Sequence, residues 1–292
     1  MEKDLEFWLA FHNIPGFKSN HFNLIKSKFD SIEKAWKAPR DTLFTVGMPK
    51  SVVNHIVSKR SHQDPLEQLE KLSRYGIEAM TSDNLFFQTN VQRLLPISPI
   101  IYYKGNIALL ESKTISLIGG LETTDYSREV ARNIIKDLVA SGYAFVGGLA
   151  KGMDALCHST MLLHKGKTIG VLSSGIDIIS PSQNLDLSRE ITNSGLLISN
   201  QPIGTRPLKQ SYLSSEQLVT EISAASIFIE GKEDGTELSI ILNALKQKKP
   251  VFAIPGNIFS DTSRGPNLLI TQGSVQPIVH FGEVIDYLEK IQ

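Results

Sequence analysis

From Lys113 onward one unit repeats: a short, wholly apolar run, a glycine or two, then a stretch of helical period. "TISLIGG" precedes a helical pattern over about 127–140, "YAFVGG" one over about 153–164, and "KTIGVLSSG" the helical "NLDLSREITNSG". "LLISN" follows, then a longer loop, "ASIFIEG", a helical stretch over about 237–247, "PVFAIPG", and "PNLLITQG" before a short strand near Val275. Strands buried on both faces read as unbroken apolar runs, whereas half-exposed strands alternate. Strands separated by helices predict a doubly wound, mostly parallel α/β sheet.

In such sheets ligands bind outside the carboxyl ends of the strands, where helix N-termini offer unpaired N–H groups. Glycines recur at those ends: Gly119–Gly120, Gly147–Gly148, Gly175, Gly231 and Gly256. One such glycine is usually a turn; five on one edge, two of them doubled, predict a backbone-lined anion groove. A dinucleotide fold needs an acidic residue closing its second strand, but that strand ends in Gly147 and Gly148. Asp154 and His158, four apart, share a helix face, a spacing open to a metal; no third ligand is evident, so helix-end charge and polar neighbour is the plainer reading. Cys157 among apolar residues reads as a buried thiol. "LSSG" lacks the G-x-S-x-G elbow. No catalytic set, metal or cofactor is expected.

Residues 1–73 read as helical, with apolar positions at Leu5, Trp8, Leu9 and Ile14 and the same period in "FNLIKSKF" and "SVVNHIVSKR". Two breaks, "IPGFKS" and "TVGMPK", each set a glycine just before a new helix. They resemble helix-hairpin-helix turns, whose exposed N–H groups can meet a DNA phosphate; the plainer reading is a small bundle with at most weak DNA contact. Residues 74–100 mix polar breaks with short apolar runs before the strand-like "IIYYKG", a connector into a second domain over 74–292. No segment holds the roughly 20 apolar residues of a membrane span, and the single cysteine rules out an internal disulfide; a cytoplasmic protein is expected. Thirty basic and thirty acidic residues cancel, with 12 against 9 in residues 1–75 and 18 against 21 thereafter. A polyanion partner would need a local patch.

Taken in order, these loops resemble the DNA-processing protein A family. "GGLAKGMDALCH" (147–158) looks like its glycine loop and helix. "GKTIGVLSSGIDIISPSQNLDLSREITNSGLLISN" (166–200) and "FAIPGNIFSDTSRGPNLLITQGS" (252–274) are similar in sequence and layout. The resemblance covers about 74–289, and the helical segment fits the family's small N-terminal domain. It implies a Rossmann-like domain that binds single-stranded DNA, protects incoming strands in natural transformation, and loads a RecA-type recombinase, usually as a homodimer. Family members often carry a C-terminal winged helix, not expected in a chain ending at Gln292. The implied strand-facing groove takes Gly119, Gly120, Gly148, Gly152 and Gly175 as N–H donors, Ser173 as hydroxyl donor, and Lys151 and Arg264 as charge partners.

The chain also departs from the family. The first loop, usually Gly-Ser-Arg, is Gly119-Gly120-Leu121. Where the family has Phe-Pro-x-Arg-Asn-Arg, this chain reads "SYLSSEQLVTEIS" (211–223), with Ser214, Glu216 and Gln217 in place of basic or amide groups. The Ser-Gly-Ser step is Asp234-Gly235-Thr236, between Glu233 and Glu237. Losing two or three cations weakens strand binding and its salt dependence. Lys151, Arg206, Lys209, Lys232 and Arg264 are the candidate replacements. Two other functions compete: a nucleotide-acting enzyme like the related phosphoribohydrolases, in which the glutamate stands where Ser239 does here, and a degenerate homologue serving protein contacts alone.

Overall fold

A computed structural model describes residues 2–94 and 96–291. Six helices come first: α1 (Leu5–His12), α2 (Ser19–Lys28), α3 (Ile32–Lys37), α4 (Arg40–Thr45), α5 (Lys50–Arg60) and α6 (Leu66–Arg74). Gly16 and Gly47, with φ of 76° and 89°, make the two hairpin turns before α2 and α5, a left-handed backbone that favours glycine. An aromatic cluster fills the bundle. Trp8 stacks on Phe22 at 4.4 Å between centroids, and Phe11 meets Trp36 edge-on at 5.0 Å.

Next come β1 (Glu78–Thr81), α7 (Leu85–Asn90), β2 (Ile100–Gly105), β3 (Thr114–Ile118), α8 (Asp125–Ala140), β4 (Ala144–Gly147), α9 (Met153–Leu163), β5 (Thr168–Leu172), α10 (Leu185–Ser194) and β6 (Leu196–Ser199). The chain closes with α11 (Lys209–Ile222), β7 (Ala225–Phe228), α12 (Thr236–Lys246), β8 (Val251–Ala253), α13 (Arg264–Thr271), β9 (Gln276–Pro277) and α14 (Gly282–Lys290). The nine strands form one sheet in the order β1-β2-β6-β5-β4-β3-β7-β8-β9. Strands β3 to β9 pair in parallel, whereas β1–β2 and β2–β6 are antiparallel. The expected doubly wound sheet is therefore present, with an antiparallel margin. The chain steps one way from β3 to β6 and the other way from β7 to β9, so strand order reverses between β3 and β7.

Apolar contacts cover both faces. Ile115, Leu117 and Phe145 pack with Ile135 and Leu138 of α8 and Val284 of α14; Val146, Ile169 and Ile198 pack with Leu218, Val219 and Ile222 of α11. The bundle core runs on into the sheet, because Trp8, Phe11 and Ile25 share one cluster with Ile100, Tyr102, Leu172 and Leu197. His12 Nδ1 meets the Tyr102 hydroxyl at 3.0 Å across that junction.

Several elements went unread in the sequence, helix α7 in the expected connector among them. Strand β1 is four residues inside the expected connector, visible only once β2 pairs with it. Helix α11 occupies the expected long loop. Its buried face holds Ser211 and Ser215 where a helix usually shows aliphatic residues, so the apolar stripe is broken in its first two turns. Helix α13 opens on Arg264, Gly265 and Pro266; the last two are poor interior residues, and proline is tolerated only in the first turn. Among the described residues no helix is long and apolar enough to cross a membrane.

Candidate anion groove at the sheet edge

The glycines foreseen at the strand ends do lie along one edge, across β5, β4, β3, β7 and β8, with the strand-order reversal at its middle. The loops after β3 and β4 interlock backbone on backbone. Gly152 sits at φ 74°, and a Cβ there would fall closer than 3.0 Å to the carbonyl oxygens of Gly120 and Leu121. Only glycine permits both the backbone angle and the approach. The Met153 N–H that opens α9 donates to Gly120 O at 3.2 Å. A Cβ on Gly119 would meet the Met153 side chain at 2.8 Å. Gly119, Gly120, Gly148, Lys151 and Gly152 are thus brought together.

Beneath them His158 is fully buried. Its Nε2 donates to Gly148 O at 2.7 Å, and its Nδ1 takes the Thr168 hydroxyl at 2.6 Å. A carbonyl accepts only, so Nε2 carries the proton and the ring is neutral. Burial lowers its pKa to about 4. Asp154 accepts the Ala150 N–H at 3.1 Å. The Asp154–His158 spacing therefore serves loop structure, and no group of three metal-ligating side chains occurs among the described residues. Cys157 is buried, as its apolar neighbours suggested.

The outer glycines play another part. The Gly175 N–H donates to Thr205 O at 2.8 Å, Gly231 N–H to Thr262 O at 2.6 Å, and Gly256 N–H to Asn267 Oδ1 at 3.1 Å. These three hold loops against the edge, so Gly175 has no N–H left to give a phosphate. The N–H groups of Gly119, Gly120 and Gly148 donate to no acceptor among the described residues. Ser173 lies buried at the end of β5 with 7% of its surface exposed. Lys151 is exposed and in no ion pair among the described residues. Arg264 is exposed, across the reversal, and paired with Asp261 at 3.2 Å.

Carboxylates crowd the same edge. Glu230, 4% exposed at the end of β7, accepts the hydroxyls of Thr124 at 2.6 Å and Thr262 at 2.9 Å. It ties the start of α8, where Thr124 also caps the helix by accepting the Ser127 N–H, to the loop before α13. Nothing in local sequence marks that bridge, because its partners lie 106 and 32 residues away. Glu216 on α11 is pushed up to about 7, by burial first and then by Asp154 and Glu237. Burial pushes Asp154 up to about 6, against the pull of the Ala150 N–H. The Glu237 carboxylate reaches to within 3.5 Å of where a Gly120 Cβ would be.

A mostly parallel open sheet with open backbone donors at its order reversal defines the class: a Rossmann-like protein, of the kind whose ligands sit at that edge. The chain belongs to the family described as DNA recombination-mediator protein A, which it matches over residues 79–289. It is 28% identical to Protein Smf of Synechocystis over 92% of this chain and 69% of that one. It is also 28% identical to the DNA processing protein DprA of Bacillus subtilis, over 82% of this chain and 84% of that one. The X-ray structure of DNA processing protein A from Streptococcus pneumoniae shares the fold with a TM-score of 0.83, at 20% identity over 96% of this chain and 97% of that one. The Helicobacter pylori protein, solved to describe its single-stranded DNA binding mode, aligns with a TM-score of 0.60 at 28% identity, over 65% of this chain and 87% of that one.

Proposed function

We propose that this protein binds single-stranded DNA along the sheet edge and serves DNA processing in natural transformation without catalysing a reaction. The observation that carries this reading is the cluster of unpaired N–H groups on Gly119, Gly120 and Gly148 beside the unpaired Lys151. Backbone donors hold phosphates without reading bases, which suits a protein that must accept any incoming strand. The similarity to the single-strand-binding protein of Helicobacter pylori supports it. In this reading the bound strand is protected and handed to a RecA-type recombinase, by a homodimer in the cytoplasm. The carboxylates of Asp154, Glu216, Glu230 and Glu237 make the edge a weaker site than a cation-lined one. Fluorescence anisotropy of labelled oligo-dT across a salt series tests the reading. Binding that falls with salt, and is lost in the Lys151→Glu/Arg264→Glu variant, is the expected result. Absence of binding at micromolar protein would leave protein contacts as the function.

A further inference from the structure

The sheet edge is acidic at its centre, so a strand held there draws on few cations, Lys151 and Arg264 chief among them. A concavity on the helical-bundle side has the opposite character. Between the last turn of α5, helix α6 and the loop after β6 lies a cleft of ≈ 640 Å³. Its walls carry Lys59, His62, Lys71 and Arg74, facing Glu67 and Asp177. Among the described residues none of the ion pairs involves Lys59, Lys71 or Arg74. Asp177 already accepts the Gly204 N–H with both carboxylate oxygens, at 3.0 and 3.1 Å. Arg206 stands exposed two residues further along that loop. The cations are therefore in excess and uncommitted.

Two further observations point to an occupant. Gln63 in the cleft wall is half-buried, and its Oε1 has no hydrogen-bond donor among the described residues, a state that costs free energy. Tyr75, 50% exposed, lines the cleft and offers a ring for base stacking. The cleft lies beside the β5 end of the sheet edge: Gly204 in its wall is next to Thr205, whose carbonyl takes the Gly175 N–H.

We propose that this cleft is a second strand-binding subsite, in which phosphates leaving the sheet edge beside Gly204 are met by Lys59, Lys71 and Arg74 on the helical bundle. It takes the place of the cations missing at Leu121 and along α11, and it rests on the strand-binding reading above. The ligand class is a single-stranded nucleic acid long enough to reach from the edge to the bundle.

The test compares oligo-dT of about 6 and about 20 nucleotides, one near the short end of common single-strand site sizes and one beyond the long end. Wild-type protein and the Lys59→Glu/Lys71→Glu/Arg74→Glu variant are titrated at several salt concentrations. The expected result is an affinity for the longer strand reduced at least about tenfold, with a salt slope shallower by about 2 for three lost contacts. Affinity for the shorter strand stays unchanged. If the variant holds the longer strand with wild-type affinity and slope, the cleft is not part of the path and the proposal is overturned, while the sheet-edge reading stands. If wild-type protein binds neither length, the sheet-edge reading falls and this subsite with it. Thermal unfolding checks that the variant folds; should it not, Lys59→Gln/Lys71→Gln/Arg74→Gln replaces it, with the same direction and a smaller loss expected.

Discussion

Leu121 and Glu216 decide the character of the edge. Leu121 places an exposed apolar side chain beside open N–H groups, so Leu121→Arg should tighten oligo-dT binding. It should also steepen the salt slope by about 0.7, the increment for one added phosphate contact on a single strand. Glu216 acts through protons. Its pKa near 7 and that of Asp154 near 6 lie above those of the unfolded chain, so the folded protein keeps protons that the unfolded one has released. Stability from these two groups is full at low pH and is lost as pH rises from about 4 to 7. Binding should follow the same sense, strengthening as pH falls from 8 to 6 and the edge loses negative charge. In Glu216→Gln the affinity should vary less with pH, and the melting temperature at pH 8 should rise above wild type. Equal pH dependence in the two proteins would rule Glu216 out as the titrating group.

At the scale of elements, the edge is held by interlocked loops. The β4–α9 loop gives Met153 N–H to Gly120 O, and His158 grips Gly148 O from beneath. Gly152→Ala puts a Cβ into two carbonyl oxygens at a left-handed backbone angle, and such strain costs about 1–3 kcal/mol. Chemical denaturation should show that loss, together with weaker oligo-dT binding, because the N–H groups of Gly119 and Gly120 shift with the loop. Helix α11 carries a related lesson. Its serines at 211 and 215 face inward, and the chain continues as helix because Leu218, Val219 and Ile222 complete the buried stripe against the sheet.

For the whole molecule, the shared core joins helices and sheet. Trp8 is 1% exposed, stacked on Phe22, and belongs to the cluster that reaches Tyr102 and Leu197. Trp8→Ala should cost about 3–5 kcal/mol and lower the stability of the sheet as well as the bundle, seen as faster hydrogen exchange in both. Two histidines set the acid limit. His12 and His158 are held by burial with pKa values near 4, so between about pH 6.5 and 4 the unfolded chain binds protons that the folded one refuses. Their stabilisation is complete above that window and is lost as pH falls through it. This opposes the trend set by Asp154 and Glu216, and wild-type melting temperature should change little between pH 5 and 6.5. Glu216→Gln removes one of the two carboxylates from that balance and should lose stability on acidification faster than wild type, as scanning calorimetry would record.

Local sequence determined the parallel strands after Lys113, the glycines at their carboxyl ends, and the helical run of the first 73 residues. Each of these is encoded in contiguous residues: unbroken apolar runs, turn glycines and amphipathic periods. The family resemblance was legible for the same reason, since its motifs are the loops themselves. Tertiary structure alone decided which glycine N–H groups stay open, because Thr205, Thr262 and Asn267 take those of Gly175, Gly231 and Gly256 from 30, 31 and 11 positions along the chain. It likewise decided the Glu230 bridge, the gathering of Glu216 with Asp154 and Glu237, and the cationic cleft joining α5 and α6 to the loop after β6. Charge and hydrogen bonding act through space, and only the folded chain sets those distances.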